Sequence, residues 1–263
     1  MNQIIIPVLI FAGLGIFAGL LLSIFSKVFA VETNEKVEQI KEALPGLNCG
    51  ACGFSGCEDY ANKLFEDNDL KTNLCLPGGG EAAHKISNIL GKGFEAVEPI
   101  VADVLCQGSN EYTSDIFEYS GIHTCSACNL YYQGKGKCNY GCIGFGDCVN
   151  VCQYGAISIV DGVAKVNHEL CTGCGMCKDA CPKGIIGTHK KSQRVVVKCF
   201  NCDLGKYTRT ACKLGCIGCK KCEKICQFDA IRVQNNKAVI DYEKCTNCGA
   251  CSAARPVKCI VRQ

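Results

Sequence analysis

The stretches CIGFGDC at 142–148 and CIGCKKC at 216–222 lie 74 positions apart, and the cysteine rhythm they share constrains the fold more than any other feature of the chain. At that offset Cys125, Cys128, Cys138, Cys142, Cys148, Cys152, Cys171, Cys174 and Cys177 fall on Cys199, Cys202, Cys212, Cys216, Cys222, Cys226, Cys245, Cys248 and Cys251. Nine ungapped matches imply an internal duplication. The 263 residues include 26 Cys, which leaves three readings: a disulfide scaffold, a zinc array or an iron–sulfur protein. Disulfide-dense chains are usually small and secreted, and the tight C-x2-C groups would make strained local bridges. Zinc sites pair C-x2-C units, often with His completing the tetrahedron. The four histidines, His84, His123, His168 and His189, stand at no such spacing. Triplets and quartets of Cys favour iron–sulfur clusters.

Residues 1–26 carry no charged side chain, and Lys27 is the first. At ~1.5 Å per residue, a helix over Ile4 to Phe25 crosses a hydrocarbon core of ~30 Å. Residues 1–30 therefore read as a single transmembrane anchor. Ala30, ending VFA, suggests a cleaved signal peptide instead, but no basic leader precedes the run, which exceeds the usual ~7–15 apolar residues. With no ionisable residue in the span, this chain alone offers no ion path through a bilayer. Residues 31–92 read as short helices around Cys49, Cys52, Cys57 and Cys75, with apolar stripes at Val37, Ile40 and Leu44 and at Tyr60, Leu64 and Phe65. Gly50, Gly53 and Gly56 let the backbone fold tightly about such a site. PGGG at 77–80 lacks the Lys-Ser/Thr ending of a phosphate loop and reads as a turn.

The run LPGLNCGACGFSGCEDYA, followed by Cys75 and PGGG, resembles the membrane-proximal iron–sulfur domain of the B component of the Rnf complex, a membrane-bound ion-translocating oxidoreductase that uses ferredoxin. The order of anchor, four-Cys domain and tandem modules extends the resemblance over nearly the whole chain. It implies an α+β chain with one transmembrane helix, a small helical four-Cys iron–sulfur domain and two ferredoxin-like modules. The boundaries expected are an anchor at 1–30, a 4Fe-4S domain at 31–92, a linker at 93–124 and modules at 125–190 and 191–263. It further implies electron transport as part of a translocase, with soluble ferredoxin and other membrane subunits as partners; a reducing compartment suits the thiolates and Lys27 agrees with the positive-inside tendency, so the modules are expected on the cytoplasmic side of the cell membrane. A polyferredoxin-like subunit of another membrane reductase or hydrogenase is the alternative. A structural zinc or interaction module without redox chemistry is a third reading.

Within each repeat two short strand patterns flank a turn: ISIV and VAKV around Asp161-Gly162, IRVQ and KAVI around Asn235-Asn236. This resembles the bacterial two-cluster ferredoxin, in which the fourth Cys of one run serves the other cluster. The crossed rule groups Cys152 with Cys171, Cys174 and Cys177, and Cys226 with Cys245, Cys248 and Cys251. Two positions depart from the pattern: Phe145 replaces a thiolate in the first module, and Arg255 stands where the second needs its crossed Cys. Cys138 is expected to complete Cys142, Cys148 and Cys181, and Cys259 to complete Cys216, Cys219 and Cys222. That makes five 4Fe-4S clusters from 20 cysteines. Cys106, Cys125, Cys128, Cys199, Cys202 and Cys212 remain as ligands of a sixth cluster, free thiols, a disulfide or alternative ligands.

Charge is lopsided. Residues 31–123 carry 16 Asp/Glu against 6 Lys/Arg, and residues 183–224 carry 11 Lys/Arg against 2 Asp/Glu. Such polarity steers charged partners, or it offsets the negative charge of thiolate-bound clusters. Ferredoxins are commonly acidic, so Lys190, Lys191, Arg194, Lys198, Lys206, Arg209 and Lys213 form the expected docking surface. No phosphate loop, dinucleotide fingerprint or Ser/His/Asp arrangement is present, so no catalytic residue is expected and nothing points to nucleic acid.

Overall fold

The computed structural model describes residues 2–28, 34–254 and 256–263. Ala30, where a cleaved leader would end, and Arg255, the departure in the second module, lie outside the described residues. The uncharged run rich in Ile, Leu, Phe and Gly continues through Lys27 as one unbroken helix, α1 (Asn2–Val28). Its described side chains from Val8 to Ser26 are all exposed. Among the described residues it is the one helix long and apolar enough to cross a membrane.

Three helices build the small domain that follows: α2 (Glu35–Ala43), α3 (Cys57–Glu66) and α4 (Gly79–Leu90). Asn34 caps α2 by accepting the Lys36 N–H at 3.0 Å, which satisfies a donor the first turn leaves open. The buried faces of Val37, Ile40, Leu44, Tyr60, Leu64 and Ile86 meet around Cys75. The expected stripe on α3 shifts by one position: Ala61 is buried and Phe65 is exposed. At 3.6 residues per turn Tyr60, Ala61 and Leu64 share a face that Phe65 leaves. The Tyr60 hydroxyl donates to the Lys71 carbonyl at 2.8 Å, pinning the loop before Cys75.

Each module is a hairpin packed beside a second antiparallel strand pair. In the first, β1 (Ile100–Val104) precedes the short helices α5 (Cys125–Asn129) and α6 (Asp147–Asn150). The hairpin β2 (Ile157–Val160) and β3 (Val163–Val166) follows, then α7 (Met176–Asp179) and β4 (Ile186–Lys190), which returns to pair with β1. In the second, β5 (Val195–Val197), α8 (Gly205–Ala211), α9 (Lys221–Ile225), the hairpin β6 (Ile231–Gln234) and β7 (Lys237–Ile240), and α10 (Ala250–Ala253) lead to β8 (Ile260–Arg262), paired with β5. Both hairpin turns have two residues at positive φ, Asp161 and Gly162 at 50° and 81°, Asn235 and Asn236 at 46° and 61°. That geometry matches the twist of the flanking strands.

The segment 93–124, expected as a linker, is corrected in part: it supplies β1, whose Val101, Ala102, Asp103 and Val104 are all buried. A carboxylate inside an apolar run hides this strand from periodicity.

The loops that carry the cysteines are set by close backbone approach. Gly173, between Cys171 and Cys174, has φ +72°, and a Cβ there would stand 2.5 Å from the Ile100 carbonyl oxygen. Gly173→Ala is expected to cost at least ~1–3 kcal/mol, because both the φ and the clash are unfavourable. Anaerobic thermal melts against wild type would show it, and an unchanged midpoint would contradict the packing described.

Candidate cluster sites

All 26 cysteines lie within the described residues, and all are free thiols. In the helical domain Cys49, Cys52 and Cys57 surround Cys75, whose thiol is pushed up to about 11 by burial and by those neighbours. The loop before α3 and the turn before α4 bring the four together, as the spacing suggests.

In the first module Cys152, Cys171, Cys174 and Cys177 line one small cavity with Tyr154 and Ala156. Burial and the other three sulfurs push the Cys177 thiol up to about 11. The Ala102 N–H of β1 donates to Cys171 Sγ at 3.3 Å. In the second module Cys226, Cys245, Cys248 and Cys251 line the matching cavity, and the Ala230 N–H donates to Cys226 Sγ at 3.4 Å. Cys216 and Cys259 are hydrogen-bonded, which pulls the first thiol down and pushes the second up. Cys222 feels both Cys216 and Cys219. Cys259 therefore stands with the group for which it was expected as a substitute.

The remaining group differs from expectation. Cys142, Cys148 and Cys181 share their cavity with Cys125, not Cys138. The Cys148 thiol is pushed up to about 12 by burial and by Cys142, Cys125 and Cys181. Asp147 holds Cys125 there, accepting the N–H groups of Cys125 at 2.8 Å and Ser126 at 2.9 Å. Phe145, at the sequence position of the missing thiol, does not line that cavity and packs instead on Tyr119 at 5.7 Å and His123 at 5.1 Å. Cys138 faces the second module instead, where its Sγ accepts the Asn201 side-chain N–H at 3.3 Å. Proximity in sequence favoured Cys138. The signal that could have found Cys125 is the long segment between Cys106 and Cys138, 31 residues against the 12 between Cys199 and Cys212.

The thiol groups fall into two runs in space, one through the helical domain and the first module and one within the second module. Cys174 feels Cys49 of the helical domain, Cys148 feels Cys177, and Cys222 feels Cys251. Converging thiols, apolar cavities and N–H groups aimed at sulfur fit iron–sulfur clusters, whose charge and potential respond to such hydrogen bonds.

A buried charged network pins the modules together. Asp103 accepts from His189 Nε2 at 2.7 Å and His168 Nε2 at 3.1 Å in its own module. From the second module it pairs with Lys198 and accepts the Gln263 amide at 3.2 Å. Burial opposes its charge, but the hydrogen bond from His189 and the Lys198 ammonium hold the carboxyl well below its ordinary value. Lys198 is thus withdrawn from the expected docking surface. Lys190 pairs with Glu98 at 2.5 Å and Lys191 with Glu169 at 3.1 Å, while Lys206, Arg209 and Lys213 are exposed.

Two hairpin modules carrying convergent thiol quartets, preceded by a four-Cys helical domain, define a multi-cluster iron–sulfur protein of the tandem ferredoxin class. Family models agree: one for an Fe-S cluster matches residues 44–77, and the 4Fe-4S dicluster domain matches residues 137–185. The chain is 42% identical to the B component of an ion-translocating oxidoreductase complex of Methanosarcina acetivorans, over 99% of both chains. It is 41% identical to the B component of the Na(+)-translocating ferredoxin:NAD(+) oxidoreductase complex of Acetobacterium woodii, over 99% of this chain and 78% of that one. It is 40% identical to the B component of the proton-translocating ferredoxin:NAD(+) oxidoreductase complex of Clostridium ljungdahlii, over 99% and 93%. The chain belongs to this B-component family of ion-translocating oxidoreductase complexes, known as Rnf complexes.

Proposed function

We propose that this chain is the electron-relay subunit of an Rnf-type complex, taking electrons from reduced ferredoxin and delivering them to membrane partners. The observation that carries the reading is the spatial succession of thiol groups in two runs, one from Cys49 of the helical domain through Cys174, Cys177 and Cys148 of the first module, the other from Cys222 to Cys251 in the second. Clusters held by these thiols supply one-electron carriers. The ligand sets are Cys49, Cys52, Cys57 and Cys75; Cys152, Cys171, Cys174 and Cys177; Cys125, Cys142, Cys148 and Cys181; Cys216, Cys219, Cys222 and Cys259; and Cys226, Cys245, Cys248 and Cys251. The chain's own residues bury or half-bury all of these cysteines except Cys219 and Cys248, and aim backbone N–H groups at Cys171 and Cys226. Helix α1 is a single-pass anchor, with the modules on the cytoplasmic side, where a reducing environment keeps the thiols free.

The second module is the docking end for ferredoxin. Cys219 and Cys248 are the two exposed thiols, and Lys220, Lys221 and Lys224 stand exposed around Cys219. Gly205, which opens α8 beside the exposed Lys206, lies against Ile217 of the same cluster loop. Reversing Lys220, Lys221 and Lys224 to Glu is expected to slow oxidation of reduced ferredoxin roughly tenfold or more at low salt, and less at high salt. Stopped-flow oxidation across ionic strengths measures this; a rate unaffected at every salt concentration would remove ferredoxin from this face. The relay itself is tested by anaerobic iron, acid-labile sulfide and reduced-state EPR on the full chain. Zinc in place of iron would end it.

A further inference from the structure

Six cysteines stand outside those five sets, and four of them, Cys106, Cys138, Cys199 and Cys212, line a single cavity of about 130 Å³ between the modules. An engineered core void of ~150 Å³ takes up benzene, so this space suits a compact guest larger than one water. Each module contributes two thiols from matching places. Cys106 follows β1 by two residues and its Sγ accepts the Cys142 N–H at 3.4 Å; Cys199 follows β5 by two residues and accepts the Cys216 N–H at 3.2 Å. Cys138 and Cys212 each lie four residues before those donors, and each carbonyl accepts an N–H three residues on, from Gly141 at 2.9 Å and Gly215 at 3.3 Å. Cys106 therefore corresponds to Cys199, although the 74-residue offset pairs Cys199 with Cys125.

Hydrogen-bond donors face the sulfurs. Cys106 accepts a second N–H, from Gly108 at 3.3 Å, and Cys138 accepts the side-chain amide of the buried Asn201. Gly108 lies beside two of the sulfurs: a Cβ there would stand 3.5 Å from Cys106 Sγ and 3.8 Å from Cys212 Sγ, which places thiols of the two modules on either side of the same backbone. Phe200, Ile143 and Leu214 close its apolar wall. The interface is fixed around it, with Thr113 Oγ1 donating to the Ala211 carbonyl at 2.8 Å and Gln107 to the Lys258 carbonyl at 2.8 Å.

We propose that Cys106, Cys138, Cys199 and Cys212 together hold a sixth iron–sulfur cluster shared by the two modules, each thiol releasing its proton to solvent as it ligates. This deepens the relay reading and rests on it. Cys142 and Cys216, which donate to the two ends of the site, belong to the flanking sets of the two modules. The shared site thus fills the break between the two runs of thiol groups. Cys128 and Cys202 are then the only cysteines without a set: Cys128 is wholly buried beside Ile143, and Cys202 donates to the Phe200 carbonyl at 3.5 Å.

The test is iron and acid-labile sulfide per full-length chain after anaerobic reconstitution, with quantitative EPR. Wild type should carry about 24 iron atoms, the Cys199→Ala/Cys212→Ala double variant about 20, and Cys202→Ala about 24. Wild type near 20, with the double variant unchanged, overturns the sixth site while leaving the relay intact. One zinc beside about 20 iron in wild type also overturns it. Zinc throughout sinks both proposals. The wild-type count decides even where the double variant fails to fold.

Discussion

Cys125→Ala is expected to remove about four iron atoms per chain and to break electron delivery through the first module, while Cys128→Ala leaves the iron content unchanged. The argument is steric and local. Cys142, Cys148 and Cys181 line a cavity whose only other thiol is that of Cys125, and Asp147 fixes the backbone of Cys125 and Ser126 in place. Phe145 stands where a conventional run would have its middle ligand, packed between Tyr119 and His123, and offers no donor atom. The control is sharp because Cys128, three residues on and wholly buried, belongs to the same helix α5. Iron analysis and EPR of the two variants separate the readings: equal iron in both would mean that Cys125 is no ligand.

Asp103→Ala is expected to destabilise the docked modules by ~3–5 kcal/mol, because removing one partner leaves the Lys198 ammonium buried and unpaired. Adding Lys198→Met should restore part of the loss, since the penalty lies in the orphaned charge more than in the lost attraction. The pH dependence follows from a carboxyl held below its ordinary 3.8. A depressed folded-state pKa means that the stabilisation is complete above about 3.8 and drains away as the pH falls toward the folded value. The gap between wild type and Asp103→Ala should therefore narrow only in acid. Anaerobic melts followed by cluster absorbance, with limited proteolysis between the modules, measure both effects. A loss below about 1 kcal/mol would mean that the network carries little of the docking.

Much of this was legible in the chain. The uncharged N-terminal run dictated a long helix, because an apolar stretch that long in hydrocarbon must satisfy its backbone groups internally. The Asp161-Gly162 and Asn235-Asn236 pairs dictated two hairpins, because these residues tolerate the positive φ that the turns require. The C-x2-C rhythm, together with the distant Cys75, marked the helical site and the two outer module sites, where most ligands lie within one short loop. Even Cys259, four residues from its expected place, was within reach of that reasoning.

The two thiol groups that sequence spacing did not place are those whose members come from separate layers of the fold. An offset of 74 residues aligned Cys125 with Cys199, yet the first module's longer segment between Cys106 and Cys138 carries Cys125 inward to its own cavity, while Cys199 turns toward the other module. Asp103 on β1 was equally hidden, since an isolated acid in an apolar run carries no sign of the histidines and lysine that meet it. The sequence by itself determined the chemistry, iron–sulfur ligation in a duplicated scaffold, because thiols in short loops are recognised by local spacing. Only the tertiary structure decided which thiols face each other and in what order, because strand pairing and module docking bring together residues whose separation along the chain carries no information about their distance.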